Sequence, residues 1–531
     1  MLEALLTTLT PEKAAAVLIF SLFSLYWWQR FALLRRIRQL GERAPVVPTY
    51  LPWGIDFVYK SMRARKSLRF LEHARRTLTS AQEASGLTWT AWTVEITSLV
   101  PKRVIITADP ENIKAVLTGQ FLDFGKGESF HREWRELLGD SIFATDGQKW
   151  SSARQLLRPM FVRDRIVDTE MFEPNVQRLI RLLGGSEMTG KVVEVSNLFF
   201  RFTLDTSTEY LLGKGTDSLD NPKTRFAQAF EYVQIKQSEY FRLGFLNKFV
   251  PRRKFRQELK VMEDFIQPYI QTALTMTPEE LDKRLAKQDT FLHALARFTR
   301  DPKVIRDQIV AVLLAGRDTT AATLSFCTFE LARNPGVVAR LRAEIAARLG
   351  VGADARPPTY EDLKEMRFLN AVLNETLRMY PAVPFNIRYC LRSTTLPRGG
   401  GPDGNSPVGV PADTRVAYST MIMHRRPDLY GGSGYDPEKW IPDRWMGGWQ
   451  PKPWHFLPFN GGPRICIGQQ FALLEMGYTL VRILQTYERI IAMPIMGETV
   501  VRDPPLRFEI TLSPGAELNC VFLREGEEFA P

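Results

Sequence analysis

A loop with the sequence Phe459-Asn-Gly-Gly-Pro-Arg-Ile-Cys-Ile-Gly468 carries the strongest functional signal in this 531-residue chain. The loop is rich in Gly and Pro, and an apolar helical pattern from Phe471 to Leu484 follows it. A cysteine just before a helix lies at the positive end of the helix dipole, where its thiolate is stabilised and can ligate a metal. A free cysteine is more often a buried structural residue. The role of Cys466 therefore depends on the residues around it.

Three neighbours of Cys466 favour a bound cofactor. Gly462 and Gly468 lack side chains and allow the backbone to approach a flat ligand closely. Arg464 can pair with a carboxylate on such a ligand. The loop thus combines a metal ligand, room for a planar group and a cation.

A second signal lies inside a long predicted helix from Asp301 to Asn334, which begins with Pro302 and is followed by Pro335-Gly336. The helix contains Ala315-Gly-Arg-Asp-Thr-Thr320, in which an acid stands next to hydroxyls and could relay protons. An ordinary core helix with threonines bonded to backbone carbonyls explains the same residues. We expect one face of the helix to carry Ile309, Leu313, Gly316 and Thr320.

Several pairs are uninformative alone. Glu375 and Arg378 stand three residues apart in a helical pattern from Thr359 to Tyr380, which can be one helix or two, so they share a face and can pair. Such pairs are usually exposed and contribute little. The same holds for Trp150 with Arg154, for the single cation Arg388, and for the turn Pro442-Asp-Arg-Trp445.

Together these motifs resemble the cytochrome P-450 family. The cysteine loop fills every fixed position of the family pattern F-x-x-G-x-R-x-C-x-G, and the other motifs match A/G-G-x-D/E-T-T, E-x-x-R, P-x-R-x and W-x-x-x-R. They run in the family's order from Trp150 to Gly468, so the resemblance covers nearly the whole chain. Trp445 stands where the family more often has Phe, which is a conservative difference.

The resemblance implies a mainly α (α+β) fold, with a long central helix and small β-sheets, that binds haem b (iron protoporphyrin IX). It implies that Cys466 is the iron ligand, and that Asp318 and Thr319 are the acid and alcohol of oxygen activation. Arginines and a tryptophan would bind the haem propionates, and a buried ionic network would support the cysteine loop. The residues implied are Trp150, Arg154, Arg388, Phe459, Gly462, Arg464, Cys466 and Gly468 for the cofactor, and Glu375, Arg378 and Arg444 for the network.

The N-terminal region predicts a membrane anchor. Residues Ala14 to Trp28 carry no charge, and Tyr26, Trp27 and Trp28 are typical interfacial residues. A cleaved signal peptide and a monotopic hairpin are the alternatives. Basic residues follow the run, which predicts a luminal N-terminus and a cytoplasmic catalytic domain on a single-pass protein of the endoplasmic reticulum membrane. These basic residues are Arg30, Arg35, Arg36 and Arg38.

The chain divides into three predicted parts. Residues 1–36 form the luminal N-terminus and transmembrane anchor, and residues 56–531 form the haem-thiolate catalytic domain. Between them, Pro45, Pro48 and Pro52 predict a stiff hinge over residues 37–55, because proline fixes its own φ and disfavours helix before it.

Electrons are expected from another protein. No strand followed by GxGxxG is present, so the chain has no recognisable nicotinamide or flavin site. The resemblance implies NADPH oxidation by a separate NADPH-cytochrome P-450 reductase. The net charge of +11 suits an acidic partner or an ordinary solvated surface equally well, and no nucleic-acid motif accompanies it.

Three stretches are similar to the fungal cytochromes P-450 that hydroxylate n-alkanes and fatty acids: Leu51-Pro-Trp-Gly-Ile55, the glycine-rich insert Leu396–Gly404, and Leu314–Ala321. This implies insertion of one oxygen atom of O2 into a lipophilic substrate, at or near the end of an aliphatic chain. The alternatives are a tailoring hydroxylase of secondary-metabolite biosynthesis, a haem-thiolate isomerase and a non-catalytic haem sensor. Residues Phe241–Lys254 mix aromatic and basic side chains and fit a membrane-surface element or a plain helix connection.

Overall fold

Helices dominate the structure, a computed structural model that describes residues 10–51, 54–97, 103–162, 168–184, 190–285 and 290–529. In chain order the α-helices are α1 (Pro11–Leu40), α2 (Ile55–Lys66), α3 (Phe70–Ala84), α4 (Pro110–Lys114), α5 (Gly127–Leu138), α6 (Gly147–Leu157), α7 (Glu173–Gly184), α8 (Val195–Leu212), α9 (Arg225–Leu243), α10 (Arg253–Thr275), α11 (Pro278–Leu285), α12 (Phe291–Phe298), α13 (Pro302–Arg333), α14 (Pro335–Leu349), α15 (Tyr360–Glu365), α16 (Arg367–Met379), α17 (Thr420–Met423), α18 (Pro427–Tyr430) and α19 (Gln469–Thr486).

The strands form small sheets beside the helices. The strands are β1 (Thr93–Thr97), β2 (Arg103–Thr107), β3 (Phe124–Gly125), β4 (Val193–Glu194), β5 (Phe385–Cys390), β6 (Thr394–Gly400), β7 (Ser406–Val410), β8 (Arg415–Ser419), β9 (Arg489–Ala492), β10 (Leu506–Phe508), β11 (Leu512–Pro514) and β12 (Asn519–Leu523). One five-stranded sheet has the order β1-β2-β8-β5-β3, and a three-stranded sheet has the order β4-β12-β9. Strands β6 and β7 form a hairpin around the glycine-rich insert, and β10 pairs with β11.

The predicted long helix is confirmed as α13, which has 32 residues and passes through the core. The Asp301 side chain accepts from the backbone N–H groups of Lys303 and Val304, and Pro302 occupies the first turn, where no N–H partner is lost. Helix α13 is long and apolar enough to cross a membrane, but 78% of its most apolar window is buried inside the protein. It is therefore a core helix.

Helix α1 fits the predicted transmembrane anchor. It is 30 residues long, lies near the N-terminus, and none of its most apolar window is buried in the protein. Such a length exceeds the ~20 residues that span a bilayer. Its first turn is capped by Thr10, whose side chain accepts from the Lys13 N–H.

The segment after the anchor is paired with the catalytic part. Helix α1 continues to Leu40, and Ile37 in its last turns is only 1% exposed. The Glu42 N–H donates to the Pro407 carbonyl of β7 at 2.9 Å, and the Val47 N–H donates to the backbone carbonyl of Glu95 in β1 at 2.9 Å. Part of the region predicted as a hinge is thus the end of a helix, followed by an extended segment that is hydrogen-bonded to the sheets. Pro52, the last proline of that prediction, lies outside the described residues.

The region predicted as one or two helices from Thr359 to Tyr380 consists of α15 and α16. A reciprocal capping box opens α15, with the Thr359 hydroxyl accepting from the Asp362 N–H while the Asp362 carboxylate accepts from the Thr359 N–H. Helix α16 ends before Pro381, which cannot continue a helix. This places Glu375 and Arg378 on the buried face of α16.

Candidate active site

The cysteine loop is closed by backbone hydrogen bonds that place Cys466 two residues before the helix cap. The Cys466 N–H donates to the Phe459 carbonyl at 2.9 Å, and α19 begins at Gln469 with Gly468 as its N-cap. Gly462 has φ of 66°, and a Cβ there would lie 2.1 Å from the Leu117 carbonyl oxygen. Only glycine fits both the backbone conformation and the contact.

The Cys466 side chain is accessible to solvent, although its thiol lies well inside the protein. Cys466 is exposed, whereas the other three cysteines are buried. Burial in the surrounding protein nevertheless raises the pKa of the Cys466 thiol, opposed by a hydrogen bond from the Gly468 backbone and by the positive charge of Arg154. Both observations hold if the sulfur faces an internal space rather than the outer surface. A metal bound there would deprotonate the thiol outright.

Helix α13 presents one accessible stripe in an otherwise buried stretch. From Asp307 to Ala332, all of which the structure describes, the residues that are not fully buried lie three or four positions apart on one face. They are Val312, Ala315, Gly316 and Thr319. Of the predicted face, Gly316 belongs to this stripe, whereas Ile309, Leu313 and Thr320 are buried.

The predicted acid and alcohol lie on different faces of α13. The Thr319 hydroxyl belongs to the accessible stripe and donates to the Ala315 carbonyl at 2.7 Å. Asp318 is buried and accepts a 3.0 Å hydrogen bond from Arg317. Burial raises the pKa of Asp318, and the charge of Arg317 opposes that rise.

The Glu375–Arg378 pair is fully buried. Arg378 donates to both carboxylate oxygens of Glu375 at 2.8 Å, and neither side chain has any exposed surface. The remaining N–H groups of Arg378 donate to the carbonyls of His424, Pro437 and Lys439. The pair is thus bidentate, and the Arg378 guanidinium uses its N–H groups fully. It differs in this from the exposed pairs that are common on helices.

Arg444 and Trp445 complete this network from the turn that follows Pro442. The Arg444 Nε lies 3.4 Å from Glu375 Oε1, and the Trp445 indole N–H donates to Glu375 Oε2 at 2.9 Å. Arg444 also donates to Ser433 and to the Tyr435 carbonyl. The indole donor gives a physical reason for Trp at a position where the family more often has Phe.

His424 links the network to the cysteine loop, which sequence reasoning missed. Its carbonyl accepts from Arg378, and its Nε2 accepts from the Leu457 N–H at 2.9 Å, two residues before Phe459. Burial and the nearby Arg378 charge lower the pKa of His424 to about 3, so the ring is neutral and can accept. Nothing in the sequence distinguishes this histidine from the others.

A cluster of cations lies beside the loop. The Arg464 guanidinium donates to Asp146 at 2.6 Å, and burial together with the positive charge of Arg388 lowers the pKa of Arg464 to about 10. Desolvation and the charges of Arg388 and Arg464 hold the pKa of Lys126 well below its usual range. Arg388, on β5, is buried and donates to Asn386. Sequence reasoning assigned neither Lys126 nor Asp146 to the propionate site, although Lys126 lies in the stretch Phe121–Phe130 that the resemblance places near the pocket.

Helix α6 adds the predicted Trp150 and Arg154. The Arg464 guanidinium lies 4.7 Å from the centroid of the Trp150 ring, and Arg154 donates to the Ile465 carbonyl at 3.1 Å. Burial lowers the pKa of Arg154, and the neighbouring Cys466 opposes the effect. The structure thus brings Trp150, Arg154, Arg388, Arg464 and Cys466 together.

These residues fit haem with its two propionates. The cluster contains Lys126, Arg388 and Arg464 around the single carboxylate of Asp146, and the buried Arg464 Nε has no hydrogen-bond partner among the described residues. Buried cations in excess are costly unless carboxylates pair with them. An accessible thiol next to such a cluster and a glycine-lined loop is the donor set of a haem-thiolate protein.

The comparisons agree with this class. The family model described as cytochrome P450 matches residues 92–503, and the chain belongs to that family. The chain is 47% identical to cytochrome P450 monooxygenase pvhE of Talaromyces variabilis, covering 91% of this chain and 90% of that protein. It is 41% identical to cytochrome P450 52A13 of Debaryomyces hansenii, covering 82% and 84%. Cytochrome P450 52A1 of Candida tropicalis is 42% identical over 79% of this chain and 78% of its own.

A solved structure supports the fold. The crystal structure of the cytochrome P450DA heme domain superposes with a TM-score of 0.71 at 20% identity, covering 92% of this chain and 98% of the other. The mainly α fold with small sheets expected from the resemblance is confirmed. The protein is a cytochrome P450 monooxygenase.

Proposed function

We propose that this monooxygenase receives electrons from NADPH through a separate cytochrome P-450 reductase and hydroxylates n-alkanes or fatty acids at or near the end of the chain. Haem held by Cys466 supplies the activation of dioxygen when it is bound. The observation that carries the proposal is the accessible stripe on α13, which joins an apolar surface at Val312 and Ala315 to the hydroxyl of Thr319.

The chain's own residues would hold the cofactor and move protons. Arg388, Arg464 and Lys126 would neutralise the propionates, and Trp150 would pack beside Arg464. Asp318 would hold a proton on its carboxyl group, as its raised pKa favours. Thr319 Oγ1 would receive and pass that proton, because its hydroxyl donates to Ala315 and its lone pairs can accept.

An aliphatic substrate is supported by the surfaces near α13. Ile387 and Ile510 are partly buried apolar residues that pack against the same core cluster as Val312. Phe70, Phe385 and Phe508 form an aromatic group beside them, with ring centroids 4.7 to 5.9 Å apart. Apolar and aromatic lining recognises long alkyl chains by burial of their surface.

Membrane attachment would deliver such a substrate. We propose that α1 is a single-pass anchor in the endoplasmic reticulum membrane with the catalytic part on the cytoplasmic side, as the arginines after the apolar run favour. The 3₁₀ segment Gly244–Phe249 that follows α9 carries Phe249, which is 80% exposed, next to Lys248. This combination suits contact with lipid.

The test is turnover in a reconstituted membrane system. Purified protein, reductase and NADPH are incubated with dodecane and with dodecanoic acid, and products are identified by mass spectrometry. We expect one added oxygen at or next to the terminal carbon, dependent on both NADPH and reductase. The Cys466→Ala variant, which cannot form the thiolate complex, is the control. Turnover of a fatty acid hydroperoxide without NADPH or reductase, and none of dodecane or dodecanoic acid with them, would instead indicate a haem-thiolate isomerase.

A tailoring hydroxylase of secondary metabolism is the second candidate. It is supported by the relative of 47% identity, whose name lies outside the 52A series that the relatives of 41% and 42% identity share. A substrate-binding difference spectrum separates the two candidates. Spectral shifts with terpenoids or aromatic polyketides, and none with any long-chain aliphatic, would favour the second.

A further inference from the structure

Arg317 occupies an unusual environment for a charged residue. It is buried on α13, and its guanidinium lies 5.1 Å from the ring centroid of Phe200 and 5.3 Å from that of Phe230. Phe200 belongs to α8 and Phe230 to α9, so the side chain is enclosed by two other helices. Its Nε is buried without a hydrogen-bond partner among the residues that the structure describes.

Arg317 forms hydrogen bonds with two side chains. It donates to Asp318 Oδ1 at 3.0 Å and to Gln234 Oε1 of α9 at 3.1 Å. Neighbouring residues in a helix point about 100° apart, so the pair forms only if both side chains bend toward each other. The two phenylalanine rings fix the guanidinium in the position where this is possible.

Stability alone does not explain this arrangement. A buried ion pair with an unused donor is usually less stable than a well-packed apolar substitute. A residue such as Met would fill the space between two rings without desolvating a charge. The Asp318 carboxyl, by contrast, is drawn toward α9 and held there, next to Thr319 on the accessible stripe.

We propose that Arg317 is a positioning residue for Asp318: it holds the acid against α9 in the resting protein and, through Gln234, couples the position of the acid to that helix. This inference rests on the proposed proton role of Asp318. The charged groups that act on Asp318 are Arg317 from its own helix and Glu231 from α9. Movement of α9 would change the Arg317 contacts and so release or retain the carboxyl.

The first test needs no substrate. Infrared difference spectra recorded across pH identify the protonated Asp318 carboxyl as the band that is missing in Asp318→Asn. Removing the cation in Arg317→Gln leaves desolvation and the negative charge of Glu231 opposed only by the Gln234 amide, so we expect the titration midpoint of this band to rise by about one pH unit or more. Arg317→Lys keeps the charge and should bring the midpoint most of the way back to the wild-type value. An unchanged midpoint in Arg317→Gln would overturn the proposal.

The second test measures how NADPH electrons are used. With dodecanoic acid, we expect Arg317→Gln to raise hydrogen peroxide formed per NADPH about fivefold or more, since a misplaced general acid costs a large part of its ~10²-fold contribution. The reduced carbon monoxide spectrum should stay that of a thiolate complex. If the wild-type protein makes no product from dodecanoic acid, the proposed substrate class fails, while the infrared test still decides on Arg317.

The chain offers a matched control on the same helix. Arg306 also pairs with the aspartate that follows it, Asp307, at 3.2 Å, about three turns before Arg317. Arg306→Gln should leave both the Asp318 band and the peroxide yield unchanged. If Arg317→Gln does not fold, Gln234→Leu carries the test: it removes the Gln234 amide from both Arg317 and Asp318 but keeps both charges, and we expect a smaller shift of the band in the same direction. No shift there would overturn the coupling to α9.

Discussion

The Glu375 carboxylate receives two hydrogen bonds of 2.8 Å from Arg378, and both side chains are entirely buried. Three further donors converge on the same carboxylate: the guanidinium of Arg444, the indole of Trp445 and the Ile441 N–H. One negative charge thus compensates two buried guanidiniums.

Glu375→Gln should strongly destabilise the protein. The variant leaves Arg378 and Arg444 buried without a counter-charge, and breaking a buried pair costs about 3–5 kcal/mol. We expect most of the thiolate carbon monoxide signal per milligram of protein to be lost. The control is Asp264→Asn, which removes a carboxylate from the exposed pair with Lys260 and should change nothing measurable. A normal signal in Glu375→Gln would contradict the supporting role of the network.

Trp445→Phe tests the single hydrogen bond of the indole. An aromatic ring is kept, but the donor to Glu375 Oε2 is removed together with the second ring of the indole, and a hydrogen bond to a charged group contributes about 1.5–3 kcal/mol. We expect the unfolding free energy from denaturant titration to fall by at least that amount, because the smaller ring also loses packing, with the haem-thiolate spectrum retained. A loss of spectrum at full stability would place Trp445 in the cofactor site instead.

Lys126→Met should weaken haem binding. If the ammonium pairs with a propionate, its loss costs about 1.5–3 kcal/mol, or roughly 10- to 100-fold in affinity. The measurement is the rate of haem transfer to an excess of apomyoglobin. Lys149, which is exposed on α6 and pairs with Asp140, gives the control variant Lys149→Met, whose transfer rate should match the wild type. Equal rates for the two variants would remove Lys126 from the propionate site.

His424→Gln should reduce the acid sensitivity of the fold. The folded pKa of His424 is about 3 and the unfolded value is 6.5, so the unfolded chain binds more protons between these values. Stability from the neutral ring is complete above pH 6.5 and is lost as pH falls toward 3, by about 2 kcal/mol between pH 7 and pH 5. Urea titrations at both pH values should show a smaller loss in the variant, whose amide oxygen can still accept from Leu457. An equal loss would contradict the assignment.

Local motifs predicted much of this protein, because short spacings determine them. The loop around Cys466, the pair of Glu375 with Arg378 and the ends of α13 follow from residues that are adjacent or one turn apart. The face of α13 did not follow, since a helix that is apolar on all sides carries no pattern to show which side remains accessible. The packing of α8, α16 and α19 around this helix decides that, and it depends on distant parts of the chain.

Long-range contacts explain what was missed. Lys126 approaches Arg388 and Arg464 from more than 250 residues away in sequence, and no local spacing indicates it. The region after the anchor was predicted from its prolines as a hinge, yet its hydrogen bonds to β1 and β7 are formed by backbone groups, which any sequence supplies. The division into anchor, hinge and catalytic domain stays a prediction.

The junction between α1 and the sheets has a mechanical consequence. Gly409 of β7 lies so close to the helix that an added Cβ would be 2.5 Å from the Ile37 carbonyl oxygen, and Ile37 itself is buried. The helix is therefore packed firmly on the catalytic part and is not joined to it by a flexible linker. In a bilayer thinner than the apolar run, the helix would tilt. On the membrane attachment proposed above, the whole enzyme would lean with it, and lipid thickness would set the angle between the catalytic part and the membrane surface.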